Sequence, residues 1–174
     1  AGEAAADALP SAYIALDKFS HTSVPIIAAI NGYCFGGGAM LAIACDIRLA
    51  STSATFRLPG AEYGLVVGAA FLPRLIGASK AKELIYTARE FDAEEAYSCG
   101  LVSSLHSSDK LMKSVLNLAG EIAVNSDSAV RESKRVIDAA TLSERAASLE
   151  SVANQRLRGS PDQNRRFRSA TRKV

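Results

Sequence analysis

Tryptophan is absent and aromatic residues make up 6% of the 174-residue chain, so a core must be built mainly from aliphatic side chains. Histidine is almost as scarce: His21 and His106 lie before one expected strand and after another. No Ser-His-Asp order or metal-ligand spacing links them, so both are expected at the surface and no metal site is expected. The three cysteines, Cys34, Cys45 and Cys99, are odd in number, form no CxxC pair and sit among apolar neighbours. That pattern reads as buried thiols in a reducing compartment, with the cytoplasm expected and an organelle matrix also compatible. An excess of one charge is missing too, since the net charge is +2 and offers no footprint for nucleic acid. The first residues are Ala-rich and acidic, without the basic start and apolar stretch of a secretion signal.

What is present is an ordinary globular balance, 48% hydrophobic and 22% charged, enough for one domain with a substantial core. The uncharged run from Val24 to Cys45 is long enough to cross a bilayer, but Pro25, Asn31 and the triple glycine Gly36, Gly37, Gly38 interrupt it. A strand followed by a buried helix accounts for the same residues, so no membrane partner is expected. From Arg156 onward six arginines and one lysine face a single acid, Asp162, a basic tail that suits either a solvated helix face, a subunit contact or an anionic ligand.

Along the chain, Leu9 to Ser20 has a partly apolar helical face. Val24 to Ile30 is a short run rich in Val and Ile that suits a buried parallel strand. Gly38 to Cys45 is uniformly apolar and predicts a helix covered on every side. Ile47 to Ser51 alternates as a strand, and Thr52 to Gly68 reads as a loop broken by Pro59, Gly60, Gly64 and Gly68, the place to look for a site. Helices are predicted over Ala69–Gly77, Ser79–Ala88 and Asp92–Ser98, the last capped by Asp92. A strand over Leu101–Leu105 follows, then a helix capped by Ser107 or Ser108. Further helices are predicted over Ser128–Ala140 and Ser143–Arg158, and a last one opens at Ser160-Pro161-Asp162. Early alternation and late helices predict an α/β core, residues 1–105, with a helical region over residues 106–174.

The chemistry concentrates in Ile26 to Leu49, IIAAINGYCFGGGAMLAIACDIRL. A strand enters a glycine-rich turn that opens directly into a helix, leaving the first helical N–H groups without internal partners. With the helix dipole behind them, such donors can stabilise an oxyanion, each worth roughly 3 to 4 kcal/mol of barrier. Three glycines equally let a buried helix pack tightly on a sheet. No Gly-Lys-Ser/Thr follows, which excludes a Walker A loop.

This run resembles the signature of the crotonase superfamily, the enoyl-CoA hydratase/isomerase family. The similarity continues through LPRLIGASKAKELIYTAREFDAEEAYSCGLVSSL, Leu72 to Leu105, and covers about Thr22 to Lys173. The resemblance implies a ClpP/crotonase-like spiral of ββα units with a helical C-terminal trimerisation region, and assembly as a homotrimer or hexamer. It implies an acyl-CoA thioester as partner, with coenzyme A as part of the substrate and no bound cofactor. Gly37 matches the second oxyanion donor of the family; the first belongs to an upstream loop that nothing here matches, so the resemblance is to the second half of such a protein. Cys34, Gly36, Pro59 and Gly68 are implied in the substrate pocket, and Lys173 matches a lysine that contacts the nucleotide end of coenzyme A. The helix from Ser160 to Lys173 is expected to reach a neighbouring subunit.

The departures are specific. Met40 and Gly60 stand at the positions of the two glutamates that a hydratase of the family uses, and Val67 and Gly68 stand where some isomerase members carry an acid. Met40 and Gly60 cannot activate water or supply a proton. Glu62, two residues past the vacated position, is expected at the surface, and Tyr33 and Tyr63 are expected to pack. Three readings follow: an acyl-CoA-transforming protein whose acid or base is another group, a non-catalytic acyl-CoA carrier or regulator in which apolar Met40 and open space at Gly60 favour a lipid tail, and a CoA-independent subunit that keeps only the fold.

Overall fold

Two small sheets frame the chain in the computed structural model, which describes Phe19 and residues 22–171. Apart from Phe19, the helix expected over Leu9 to Ser20 lies outside the described residues, as do His21 and Lys173. In the first sheet β1 (Ile27–Ile30), β3 (Ile47–Ser51) and β6 (Ser104–His106) are parallel, with β3 central. Their aliphatic runs suit strands covered by other elements. In the second, β2 (Tyr33–Phe35) pairs parallel with β4 (Thr55–Arg57), which pairs antiparallel with β5 (Glu90–Asp92). Cys34 lies opposite Phe56 and Phe56 opposite Phe91 in this register, and the two phenyl rings stack with centroids 5.4 Å apart. This alternation of strands and helices around two sheets is the crotonase-like ββα arrangement.

Helix α1 (Gly37–Ala44) follows β2 directly. Its Ala39, Met40, Ala42 and Ile43 enter the main core with Phe56, Leu58, Leu72 and Leu84. The cover expected on every side is incomplete, because Leu41 remains 42% exposed. At the C-terminal end of α1, the buried Arg48 guanidinium donates to the carbonyl oxygens of Cys45 and Leu101, both at 2.7 Å, and of Ala42 at 3.3 Å. Asp46 accepts from Ile26 N–H at 2.7 Å and pairs with Lys134. An Asp-Ile-Arg run thus satisfies the C-terminus of α1, the residue leading into β1 and the turn that follows the Ala93–Ser98 helix at once.

Helices α2 (Leu72–Ile76), α3 (Ala78–Thr87) and α4 (Ala93–Ser98) follow the predicted order. Asp92 caps α4 as expected, its Oδ1 accepting from Glu95 N–H at 2.8 Å. The strand expected over Leu101–Leu105 is shifted to Ser104–His106, since Leu101 and Val102 are core residues whose backbone turns off the end of α4 through Val102 N–H to Ala96 C=O. Helix α5 (Ser108–Ala123) packs Leu111 and Val115 on Leu49 of β3, against the first sheet. Ser107 holds its N-cap position without a side-chain bond, and the Ser108 hydroxyl bonds instead to Ser51 and Ser53. Helices α6 (Asp127–Thr141), α7 (Glu144–Leu157) and α8 (Pro161–Thr171) complete the described residues, Ser160 Oγ accepting from Gln163 N–H at the start of α8.

The short strands β2, β4 and β5 are not legible in the sequence, because three residues give too little alternation. The segment read as one loop therefore contains β4, whose Phe56 is buried between its sheet neighbours and the core.

Candidate active site

Helix α1 begins at Gly37 because Gly36 turns the chain with φ of 50°, a left-handed conformation that glycine adopts without steric cost. The first intrahelical bond runs from Met40 N–H to Gly36 C=O at 3.0 Å. The N–H groups of Gly37, Gly38 and Ala39 precede that bond, and Gly37 and Gly38 are exposed, with nothing within 4 Å of where a Cβ would stand. A Cβ on Gly36 would lie 3.9 Å from Pro59 Cγ, so the start of α1 and the end of β4 meet at one corner.

Below this corner lies Met40. A Cβ placed on Gly68 would stand 3.6 Å from Met40 Sδ, 3.4 Å from Ile43 Cδ1 and 2.8 Å from Leu58 Cδ2. Gly68, at φ of 79°, therefore lets the loop lie directly on α1, and any side chain there would collide with the core. At Gly60 the space is filled: a Cβ would meet Val67 side-chain atoms at 2.7 Å and Leu65 C=O at 3.0 Å. The open space read at Gly60 from the sequence is occupied by Val67, a residue that a local sequence reading cannot place there.

The other candidates separate. Cys34 is buried in the hydrophobic core, and burial followed by the nearby Cys45 pushes its thiol up to about 11, so it is a poor source of thiolate or proton at neutral pH. Cys45 is buried and Cys99 half-buried. Glu62 is partly exposed and ion-paired with Arg57, whose Nε also donates to Ala88 C=O at 2.8 Å. Tyr63 packs edge-on against Phe167 of α8, as expected of a packing residue, whereas Tyr33 is 86% exposed. Gly64 also abuts α8, a Cβ there falling 3.1 Å from Gln163 Cα, so this helix lies on the loop of its own chain. His106 is half-buried, its ring nitrogens bonded to the hydroxyls of Ser104 at 2.9 Å and Ser114 at 3.1 Å. Among the described residues no group of three His, Cys, Asp or Glu side chains is placed to hold a metal.

Two residues that the sequence reading did not single out hold the site together. Glu150 of α7 is 6% exposed; its Oε1 accepts from Gly68 N–H at 3.0 Å and its Oε2 from Ala70 N–H at 2.7 Å. One turn on, Asn154 accepts from Val66 N–H at 2.9 Å and donates to Val66 C=O at 2.6 Å. Burial raises the Glu150 carboxyl above its ordinary range, and the backbone donors of Ala70, Gly68 and Ala69 oppose that rise. An acid and an amide on a polar-looking helix carry no local signal of burial, so sequence periodicity passes over them.

Beside this clamp is an open cavity of about 1160 Å3. Met40 and Ala44 of α1, Ala70 and Phe71 of the loop, and Ala147 and Glu150 of α7 line it together with charged residues of α6 such as Arg131 and Arg135. Cys34, Gly36, Pro59 and Gly68 lie outside that lining, and Cys34 borders instead a very small apolar void in the core.

The glycine-opened helix, the ββα arrangement and the loop laid over Met40 agree with one comparison across nearly the whole chain: the enoyl-CoA hydratase/isomerase profile matches residues 3–172. The chain belongs to this family. Among its relatives, the crotonyl-CoA hydratase of Syntrophomonas wolfei is 43% identical over 115 residues, which is 63% of this chain and 44% of that protein. The short-chain-enoyl-CoA hydratase of Clostridium acetobutylicum is 41% identical over 119 residues, 66% of this chain and 45% of its own. This member of the family thus spans less than half the length of these two curated relatives. The crystal structure of an enoyl-CoA hydratase/isomerase from Pseudoalteromonas atlantica superposes with a TM-score of 0.85 at 31% identity, covering 91% of this chain and 66% of that one.

Proposed function

We propose that the chain forms part of an acyl-CoA thioester site in which the Gly37 N–H stabilises the oxyanion of a thioester enolate, and that the usual hydration chemistry is not performed. The observation that carries this reading is the start of α1, where N–H groups precede the first intrahelical bond and stand exposed at Gly37 and Gly38. In the reaction class proposed, a base takes the α-proton, the C–H electron pair moves into the enolate, and the negative charge collects on the thioester oxygen, where a helix N-terminal donor stabilises it. The family's two glutamates are, on this reading, replaced by Met40 and Gly60, so the base is another group. Coenzyme A enters as part of the substrate, with Lys173 the proposed contact for its nucleotide end.

A specific observation favours a second reading, a non-catalytic acyl-CoA carrier or regulator. Met40 faces the cavity with an apolar side chain and Val67 fills the space beside Gly60, so Met40 presents no carboxylate and Gly60 has no room for one. Incubating the protein with acyl-CoA and enoyl-CoA thioesters in D2O, with mass spectrometric detection, separates the two. Deuterium uptake at the α-carbon above a protein-free control supports the enolate reading; saturable binding without exchange supports the carrier; absence of both rejects the thioester site.

The proposed assembly is a homotrimer or a hexamer. Helix α6 has no buried residue, and its Val136 and Ile137 are exposed, as are Leu149 and Val152 of α7, the kind of surface that subunit contacts cover.

A further inference from the structure

We infer that Glu150 is a positioning residue that sets the acyl-chain preference of the site, by holding the cavity wall formed by Ala70 and Phe71 against Met40. This rests on the thioester site proposed above and goes beyond it by assigning the end of the cavity and the class of chain that fills it.

The geometry starts from α1. At about 1.5 Å per residue, Met40 lies roughly 4.5 Å and Ala44 roughly 10 Å along the helix axis from Gly37. Met40 and Ala44 are four residues apart, share one helix face and line the cavity together. Gly37 itself is not part of the lining; Met40, one turn along the same helix, is, so on this proposal the acyl chain of a thioester held at Gly37 runs past Met40 into the space that Ala44, Ala70 and Phe71 also line. A four-carbon acyl group ends near Met40; a medium-length chain reaches between Ala44, Phe71 and Ala147.

Ala70 and Phe71 of that lining belong to a loop, and hydrogen bonds from α7 hold the loop in place. Ala70 lines the cavity and donates its N–H to Glu150 at 2.7 Å; Gly68, which lies on Met40, donates to the other carboxylate oxygen at 3.0 Å. Asn154 ties the preceding Val66 by two hydrogen bonds to the same helix. A buried carboxylate is costly unless hydrogen-bonded, and here each oxygen is bound to a backbone donor of the loop. Replacing it with an amide leaves one oxygen to accept and turns an NH2 group toward the second donor, so one of the two bonds is lost and the wall is released.

The test measures binding of coenzyme A, butyryl-CoA and decanoyl-CoA by calorimetry to the protein and to Glu150→Gln, Phe71→Ala and the double variant. The protein should bind decanoyl-CoA more tightly than butyryl-CoA. Glu150→Gln should weaken decanoyl-CoA by about tenfold while leaving butyryl-CoA and coenzyme A within about twofold, since selectivity is a difference of affinities. Phe71→Ala should shift the preference in the same sense, and the double variant should lose less than the two single effects combined, because both act on one wall. Equal loss for all three ligands, or a lowered melting temperature with the preference intact, overturns the inference and leaves the thioester site standing. Failure of the unsubstituted protein to bind either thioester rejects that site and this inference with it. Should Glu150→Gln not fold, amide hydrogen exchange of the unsubstituted protein decides: the Gly68 and Ala70 amides should exchange more slowly with decanoyl-CoA than with butyryl-CoA, and equal exchange overturns the assignment.

Discussion

Glu150 shows how much a single side chain can carry. Its carboxyl is raised by burial, so the folded protein takes up this proton at a higher pH than the unfolded chain does. The resulting contribution to stability is fully present below the ordinary carboxylate range, about 4.3 for glutamate, and is lost as the pH rises through the folded-state value. Urea denaturation across the mildly acidic range should therefore show the unsubstituted protein losing stability relative to Glu150→Gln as pH rises. Glu150→Ala, which abandons both donors, should cost about 2 to 4 kcal/mol at the acidic end of that range and less as the pH rises. Val67 Cβ and Cγ2 both stand 2.7 Å, and Leu65 C=O 3.0 Å, from where a Gly60 Cβ would be, so Gly60→Glu with Met40→Glu should disrupt folding, and adding Val67→Ala, which removes Cγ2 but keeps Cβ, should relieve this only in part. Circular dichroism and thermal melts of the double and triple variants check this, with the triple variant expected to melt at the higher temperature.

Among the elements, α1 is decisive because it brings together features of opposite kinds. Its N-terminus is open and unpaired by side chains, while its C-terminus is closed by Arg48 and its flank is buried against Phe56 and Leu58. Gly37 is the first helical residue, a position where proline is well tolerated and removes only an N–H that the helix does not use. Gly37→Pro should fold with nearly unchanged melting temperature and should lower any α-proton exchange by about 10²- to 10³-fold, the usual effect of losing an oxyanion donor. Rapid exchange in a folded Gly37→Pro protein would remove Gly37 from the chemistry. The elements that escaped the sequence reading, β2, β4 and β5, are three residues each and derive their stability from pairing and from the Phe56–Phe91 stack rather than from local pattern.

At the scale of the whole molecule, the outer surface of the C-terminal helices is the unusual feature. Helix α7 buries Glu150 and Asn154 while leaving Leu149 63% exposed, an inversion of the ordinary amphipathic pattern. The assembly proposed above would cover these apolar residues, Ile137 of α6 at 59% exposure among them. Ile137→Asp should shift the protein toward monomer in light scattering coupled to size exclusion, while circular dichroism stays unchanged, because that side chain is 59% exposed and belongs to no buried core. A monomer before substitution, or an assembly unaffected by it, places the contact elsewhere.

Patterns that are local in sequence determined much of this protein: the aliphatic run of β1 and β3, the glycine opening of α1, the Asp92 cap and the order of the C-terminal helices. These follow from properties that neighbouring residues possess together, namely periodicity, capping and permitted backbone angles, and with the resemblance they were enough to reach the fold and the family. Only the tertiary structure decided that Val67 fills the space at Gly60, that Cys34 belongs to the core, and that Glu150 and Asn154 reach across more than 80 residues to hold the loop over Met40. Those are matters of burial and of pairing between distant segments, and the free energy of a buried carboxylate depends on which donors meet it in the folded chain and not on the residues beside it in sequence.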